Sequence, residues 1–191
     1  MTTVRPVDNP FASNRIDGLT YRFAGDDVTT VLDRLARHGF RGAVVGPHGS
    51  GKTTLLGTLA AHLSGQPVRI RLDGATLHPL RTAVATLPNP VEPRHALLID
   101  GAELLGPVDW WRLCWRMRHA VAVVITGHRA GRLPTVHECA TTAELLRDLV
   151  RELDPTTAEA VDIDDLFHRH DGNLRECFRE LYDVCSRRFV S

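Results

Sequence analysis

Lysine is almost absent from this sequence. Of its 23 lysine and arginine residues, 22 are arginine, and the single lysine is Lys52. Arginine does not replace lysine where a compact ammonium group with three donors must fit among backbone amides. Lys52 is therefore either a stray lysine in an arginine-rich chain or a residue kept for its chemistry, and its neighbours decide between the two.

Other absences exclude whole classes of protein. No apolar run reaches the roughly 18 residues that a membrane-spanning helix needs, and the N-terminus carries no apolar signal-peptide core. Acidic and basic residues balance at 23 each, so no net charge favours nucleic acid or an anionic membrane. The four cysteines lack CxxC spacing, which argues against a zinc site and favours reduced, buried thiols. We expect a cytoplasmic protein.

The residues around Lys52 match a phosphate-binding loop. Residues 46–53 read G-x-x-x-x-G-K-T, with a short apolar strand before them and helical leucine spacing after them. Backbone N–H groups of such a loop point at phosphate oxygens, and the following helix adds its positive end. Lys52 is expected to contact the β- and γ-phosphates of ATP, and Thr53 to bind Mg²⁺; a glycine-rich turn without a ligand is the disfavoured alternative. The predicted nucleotide-binding residues are Gly46, Pro47, His48, Gly49, Ser50, Gly51, Lys52, Thr53 and Thr54.

Strands alternate with helices along the chain, which predicts a parallel α/β sheet. Unbroken apolar runs at 43–45, 96–99 and 121–126 are typical of buried central strands. Residues 68–72 instead alternate apolar and charged side chains, which is typical of an edge strand, and residues 135–140 predict a short fifth strand.

Helical spacing accounts for much of the remaining chain. It predicts helices around 28–35 and 77–87, and Thr141 with Glu144 forms a capping-box pattern before another helix. We divide the chain into an N-terminal arm (1–26), a nucleotide-binding core (27–154) and a small helical lid (155–191).

Three tryptophans lie on one predicted helix, at positions 110, 111 and 115. They cannot all face the same way, because successive helical residues are about 100° apart. At least one is therefore a candidate for an interface or for the lid cleft, although ordinary core packing is the favoured interpretation.

Polar side chains end the two buried central strands that lie beyond the loop. Asp100 closes the run 96–99, and a carboxylate at the end of a central strand holds Mg²⁺ through its water shell. Thr53 and Asp100 are therefore the predicted metal ligands. Thr126 ends the next strand, where its hydroxyl is expected to sense the γ-phosphate.

Together these features resemble the AAA+ branch of P-loop ATPases. The resemblance implies a three-layer fold with a parallel five-stranded sheet of order 5-1-4-3-2 and a small C-terminal helical lid. It places Thr126 at sensor 1 and Arg175 at sensor 2, and it puts the arm residues Arg15, Ile16, Tyr21 and Phe23 beside the adenine. The catalytic set that it implies is Lys52, Asp100, Glu103, Thr126 and Arg175.

The sequence departs from the AAA+ pattern in ways that limit the function. Gly101 stands where AAA+ proteins carry a glutamate that polarises the attacking water. Glu103 is the candidate for that role here, with a surface carboxylate as the alternative. Only a short loop, with Arg129 and Arg132, separates Thr126 from the fifth strand, so no helix carries an arginine finger there. The lid is also too short for the usual four-helix bundle, and we expect no closed hexameric ring.

The function expected from these residues is that of an ATP-binding protein. We expect a slow ATPase that acts as a nucleotide-dependent switch or helper, with an unidentified protein partner. Two alternatives stay open: a non-hydrolysing ATP-binding regulator and, less favoured, a small-molecule or nucleoside kinase.

Overall fold

A computed structural model describes residues 9–75 and 78–188 of the chain. These residues form two compact units. The sheet unit consists of 21–46 and 52–139 without the gap at 76–77, and the helical unit of 9–20, 47–51 and 140–188. Residues 1–8 of the predicted arm, Leu77 of a predicted helix and residues 189–191 of the predicted lid lie outside the described residues.

The sheet unit is built on five parallel strands. Their order is β2-β3-β4-β1-β5, which confirms the predicted order 5-1-4-3-2. Strand β2 lies at an edge, as its alternating sequence predicts, and Ile70 is its one buried residue. The strands are β1 (Arg41–Val45), β2 (Gln66–Arg71), β3 (His95–Asp100), β4 (Ala122–Gly127) and β5 (Thr135–Glu138).

Helices follow the strands in the sheet unit and make up most of the helical unit. A 3₁₀ turn at Ala102–Leu104 follows β3 directly. The helices are α1 (Ser13–Ile16), α2 (Val28–Arg37), α3 (Lys52–His62), α4 (Pro79–Thr86), α5 (Pro107–Arg116), α6 (Ala143–Leu153), α7 (Pro155–Ala160), α8 (Ile163–Arg169) and α9 (Leu174–Arg188). None of these described helices combines the length and the apolar character needed to cross a membrane.

Two hydrophobic cores cover the two faces of the sheet. Successive strand residues point to opposite faces, so neighbours in β3 enter different cores. Leu97 shares one core with Ile125 and with Leu113 of α5. Leu98 belongs to the other core, together with Leu55 of α3. This arrangement of helix, sheet and helix confirms the predicted three-layer fold.

Strand register brings the predicted polar residues to one edge of the sheet. Parallel strands end at the same edge, and Ile99 of β3 lies opposite Ile125 of β4. Asp100 and Thr126, one residue further along each strand, are therefore neighbours. Val45 ends β1 beside Gly127 at the same edge.

The helical unit has a core of its own. Phe11 packs there with Leu146 of α6, Leu166 of α8 and Phe178 of α9. The Asn9 side-chain amide donates to the Tyr182 carbonyl at 2.9 Å, which holds the chain before α1 against α9. The predicted division into arm, core and lid stays a prediction.

The start of α6 differs from the predicted capping box. Thr142, and not Thr141, caps the helix, because its hydroxyl accepts from the Leu145 N–H at 3.1 Å. The Thr141 hydroxyl instead donates to the Gly172 carbonyl at 2.9 Å. This long-range partner removes Thr141 from the cap.

All four cysteines are free thiols. Cys139, Cys177 and Cys185 are buried and Cys114 is partly exposed, so the expectation of reduced, buried thiols holds for three of the four. Burial raises the pKa of Cys177 to about 11.

Candidate functional site

The loop between β1 and α3 is shaped by glycines. Gly49 and Gly51 have φ angles of 70° and 84°, a left-handed conformation that glycine adopts without strain. The Ser50 hydroxyl donates to the Pro47 carbonyl at 2.9 Å and closes the turn. A Cβ atom on Gly49 would lie 1.9 Å from Oδ1 of Asn173, so the close approach of that side chain also requires glycine.

Lys52 begins α3 and is only 9% exposed. Its Nζ donates to the carbonyl of Gly46, the first residue of the motif, at 2.8 Å. A buried ammonium requires such partners, since desolvation of a charge costs several kcal/mol (order of magnitude). The single lysine of the chain is thus held beside the loop that the motif predicts to bind phosphate.

Three predicted site residues meet through the carboxylate of Asp100. The Thr53 hydroxyl donates to Oδ2 of Asp100 at 2.7 Å, and the Thr126 hydroxyl donates to Oδ1 at 2.6 Å. Thr126 also accepts from the Gly101 N–H at 2.9 Å. These bonds link α3, β3 and β4 and fix the orientation of the carboxylate.

The backbone at position 101 accepts glycine and not glutamate. Its φ is 83°, and a Cβ atom there would lie 2.2 Å from the carbonyl oxygen of Leu72. A side chain at this position would therefore both strain the backbone and collide with the neighbouring chain. Any catalytic carboxylate has to come from elsewhere in the sequence.

Glu103 is paired with a histidine to which the sequence analysis gave no role. Its Oε1 lies 2.9 Å from Nε2 of His128, and Nδ1 of the same ring lies 3.3 Å from the Gly46 carbonyl. Gly46 is thus an acceptor near both Lys52 and His128. His128 could have been predicted as a site residue from its position two residues after Thr126, just past the end of a central strand.

A small cavity of about 280 Å³ adjoins these residues within the sheet unit. Glu103, Thr126, His128 and Arg129 line it, as does Arg132. The Arg132 guanidinium donates to the Leu105 carbonyl and lies over the Trp110 ring, 5.1 Å from its centroid. Arg132 is therefore held by structural contacts, whereas Arg129 is exposed at the cavity.

Arg175 belongs to the helical unit, in the first turn of α9. Its backbone N–H donates to Oδ1 of Asn173 at 3.2 Å, so Asn173 caps the helix. The nearby carboxylate of Glu176 pairs with Arg179 at 2.9 Å. The Arg175 side chain is exposed.

Tyr21 and Phe23 pack against strand β5. The Tyr21 hydroxyl lies 2.9 Å from Nε2 of His137, and the Phe23 ring meets the His137 ring edge-on with centroids 5.6 Å apart. Asp26 Oδ2 lies 3.1 Å from Nδ1 of the same histidine. Burial raises the pKa of Tyr21. The predicted contact with adenine stays a prediction.

The sheet order and its flanking helices are those of the P-loop NTPase fold. No family model matches the chain. A stretch of 63 residues is 36% identical to the hemin import ATP-binding protein HmuV of Pseudomonas entomophila. That stretch is 33% of this chain and 25% of the relative, so the chain matches about a quarter of the relative's length.

Replacing Gly101 tests the constraint at the end of β3. We expect Gly101→Ala to lower the free energy of unfolding by about 2–4 kcal/mol, because a left-handed backbone and a close carbonyl both oppose a Cβ atom. Gly74→Ala is the matched control, since a Cβ there meets nothing within 4 Å. Urea denaturation measures both, and equal stability of the two variants would contradict the constraint.

Proposed function

We propose that this protein binds ATP and hydrolyses it slowly, as a nucleotide-dependent switch or helper. The observation that carries the proposal is the Asp100 carboxylate, hydrogen-bonded to Thr53 and Thr126 in the same unit as the buried Lys52. Similarity to part of a relative named as an ATP-binding protein supports nucleotide binding. The AAA+ branch is our finer proposal, and the sheet order is compatible with it.

Phosphate binding is proposed for the loop and the start of α3. Lys52 already donates to the loop carbonyl of Gly46, and a phosphate oxygen is a stronger acceptor than a neutral carbonyl. Helix α3 runs for 11 residues, and the positive end of its dipole, at the N-terminus, favours an anion. When the ammonium moves from Gly46 to the β- and γ-phosphates, it exchanges a neutral acceptor for charged ones.

The residues beside the loop fit Mg²⁺. Thr53 Oγ1 and Asp100 Oδ2 are 2.7 Å apart, and hydroxyl and carboxylate oxygens are ligands that this ion prefers. We propose Thr53 and Asp100 as the protein groups that hold it. When bound, Mg²⁺ neutralises phosphate charge.

We propose that Thr126 positions Asp100 as well as sensing nucleotide. A hydroxyl group has one hydrogen to donate, and the Thr126 hydroxyl donates it to Oδ1 of Asp100 at 2.6 Å. Donation from this hydroxyl to a γ-phosphate oxygen therefore requires the bond to Asp100 to break. A sensor of this kind links the orientation of Asp100 to the state of the nucleotide.

Glu103 is proposed to polarise the attacking water. Glu103 lies in the 3₁₀ turn just after Asp100 and Gly101. Gly101 itself leaves no room for a carboxylate at the usual position. The 2.9 Å contact with His128 orients Glu103 but also occupies one of its oxygens. A base with one oxygen already bonded is less available to the attacking water, which favours the slow turnover that a switch requires.

Arg175 is proposed as a sensor 2 residue that contacts the γ-phosphate. Glu176, its acidic neighbour, is engaged by Arg179, which leaves that carboxylate less able to neutralise Arg175. We further propose that the protein forms no closed hexameric ring and acts with a protein partner.

One specific observation favours the kinase alternative. The cavity of about 280 Å³ beside Thr126 is near the small end of ligand pockets and offers room for an acceptor. Incubation with γ-³²P-labelled ATP, with and without candidate acceptors, separates the three functions. Labelled inorganic phosphate supports the ATPase, labelled acceptor the kinase, and tight binding without turnover the regulator.

Lys52 variants test nucleotide binding. We expect Lys52→Ala and Lys52→Arg to weaken ATP binding by about 100-fold or more, because charge-assisted bonds to phosphate are lost or misplaced. Titration calorimetry measures the affinity, and circular dichroism checks the fold. Arg69→Ala, on the edge strand, is the control. Unchanged affinity in both Lys52 variants would overturn the proposed function.

Asp100→Asn tests the metal ligand. We expect ATP affinity in the presence of Mg²⁺ to fall by about tenfold or more, because a metal-binding carboxylate becomes a neutral amide. Affinity measured with EDTA should change by less than about threefold. Equal losses under both conditions would assign Asp100 a structural role only.

Glu103→Gln tests the proposed base. We expect kcat for ATP hydrolysis to fall by about 100-fold or more while ATP affinity is retained, since general-base catalysis contributes 10²–10⁴-fold (typical range). Glu159→Gln, at an exposed position of α7, is the control. Full activity of Glu103→Gln would remove this residue from the mechanism.

A further inference from the structure

Strand β2 ends beside Asp100 with an arginine that has no role in the site described above. Arg71 is the last residue of β2, and parallel register sets it opposite Asp100, the last residue of β3. The Leu72 N–H donates to the Asp100 carbonyl at 2.8 Å, which fixes the end of β2 against the end of β3. Arg71 is therefore held next to the residue whose carboxylate accepts from Thr53 and Thr126.

Arg71 lies on the side of the sheet that α3 covers. Ile70, the residue before it, is buried in the core that also contains Leu113 of α5. Successive strand residues point to opposite faces, so Arg69 and Arg71 both point to the α3 side. The packing of Arg69 agrees with this direction, because a Cβ atom on Gly57 of α3 would lie 3.9 Å from its Nη1.

The contact between Arg69 and Gly57 also sets the position of Arg71 along α3. This helix connects the end of β1 to the start of β2, so it runs opposite to the strands. Arg71 lies about 7 Å further along β2 than Arg69, since strands rise about 3.3 Å per residue. Helices rise about 1.5 Å per residue, so the same distance leads from Gly57 back to Thr53. Arg71 is thus level with the Thr53–Asp100 pair.

The side chain of Arg71 is exposed at this open edge. The hydrogen bond between Thr53 and Asp100 is also exposed, so solvent and ligands reach both groups. Both oxygens of Asp100 accept from hydroxyl groups, and among the described residues no ion pair joins Asp100 to Arg71. The charge of Arg71 is therefore not used to neutralise the neighbouring carboxylate.

We propose that Arg71 binds the γ-phosphate of the nucleotide and so distinguishes ATP from ADP. This inference rests on the proposed function, in which the terminal phosphate and its Mg²⁺ lie beside Thr53 and Asp100. Neighbouring strands are about 4.8 Å apart, and an extended arginine side chain spans more than that distance. A guanidinium group is always charged and presents paired N–H donors that match a phosphate group.

The charge of this position favours a triphosphate over a diphosphate. Arg71 gains nothing from Mg²⁺ itself, because both are cations, whereas phosphate oxygens attract both. The γ-phosphate is the group that ATP has and ADP lacks, and it is the group proposed to lie at the end of β3. Because Arg71 belongs to the same unit as Lys52, this discrimination does not depend on the helical unit.

Titration calorimetry with ADP and with the non-hydrolysed β,γ-imido analogue of ATP tests the contact. We expect Arg71→Ala to weaken binding of the ATP analogue by about tenfold or more and binding of ADP by less than about threefold, because only the γ-phosphate contact is lost. Arg71→Gln, which keeps most of the side-chain length, should show the same selective loss. Arg69→Ala is the matched control, since it removes an exposed arginine from the same face of the same strand.

The same titrations in EDTA separate a phosphate contact from an effect on the metal ligands. The selective loss in Arg71→Ala should persist without Mg²⁺, because the guanidinium acts on the phosphate and not through Asp100. Equal losses for both nucleotides, a loss seen only with Mg²⁺, unchanged affinities or an equal loss in Arg69→Ala would each overturn the inference while the proposed function stands. Wild-type protein that binds neither nucleotide would overturn the proposed function, and this inference with it.

Discussion

The hydrogen bonds that the Asp100 carboxylate accepts hold together the edge of the sheet at which β3 and β4 end. Two hydroxyl groups from separate elements donate to this carboxylate, Thr53 at 2.7 Å and Thr126 at 2.6 Å. The Thr126 bond is partly buried and the Thr53 bond is exposed, and together they fix the end of β3 relative to α3 and β4. The next residue, Gly101, must be glycine, because the chain turns there with a left-handed backbone and passes close to the Leu72 carbonyl.

Much of the sheet was predictable because its signals are local. The unbroken run 96–99 and the alternation at 68–72 report whether a strand is covered on both faces or on one, and strand order followed from a family resemblance. The loop motif likewise placed Lys52 and Thr53 at the start of α3. Asp100 and Thr126 are neighbours because parallel register brings strand ends together.

What the sequence did not reveal depends on partners that are distant along the chain. Nothing near His128 announces its contact with Glu103, and the cap of α6 shifts to Thr142 because Thr141 bonds to Gly172. Helical spacing showed that the three tryptophans diverge. It did not show that Trp110 is the one that is partly buried, because that depends on tertiary packing, which includes the contact with Arg132. The roles of the site residues stay predictions, since position in a fold does not define chemistry.

The scarcity of lysine has a chemical consequence of its own. Lys52 is the only side-chain amine in the chain, and its nitrogen is bonded to the Gly46 carbonyl in a nearly buried position. Acetylation, reductive methylation or any other amine-directed reaction therefore has a single side-chain target, and that target lies in the glycine-rich loop. Arginine guanidinium groups do not react under amine-labelling conditions, so the labelling of Lys52, measured apart from that of the α-amino group, reports how accessible one atom at the start of α3 is.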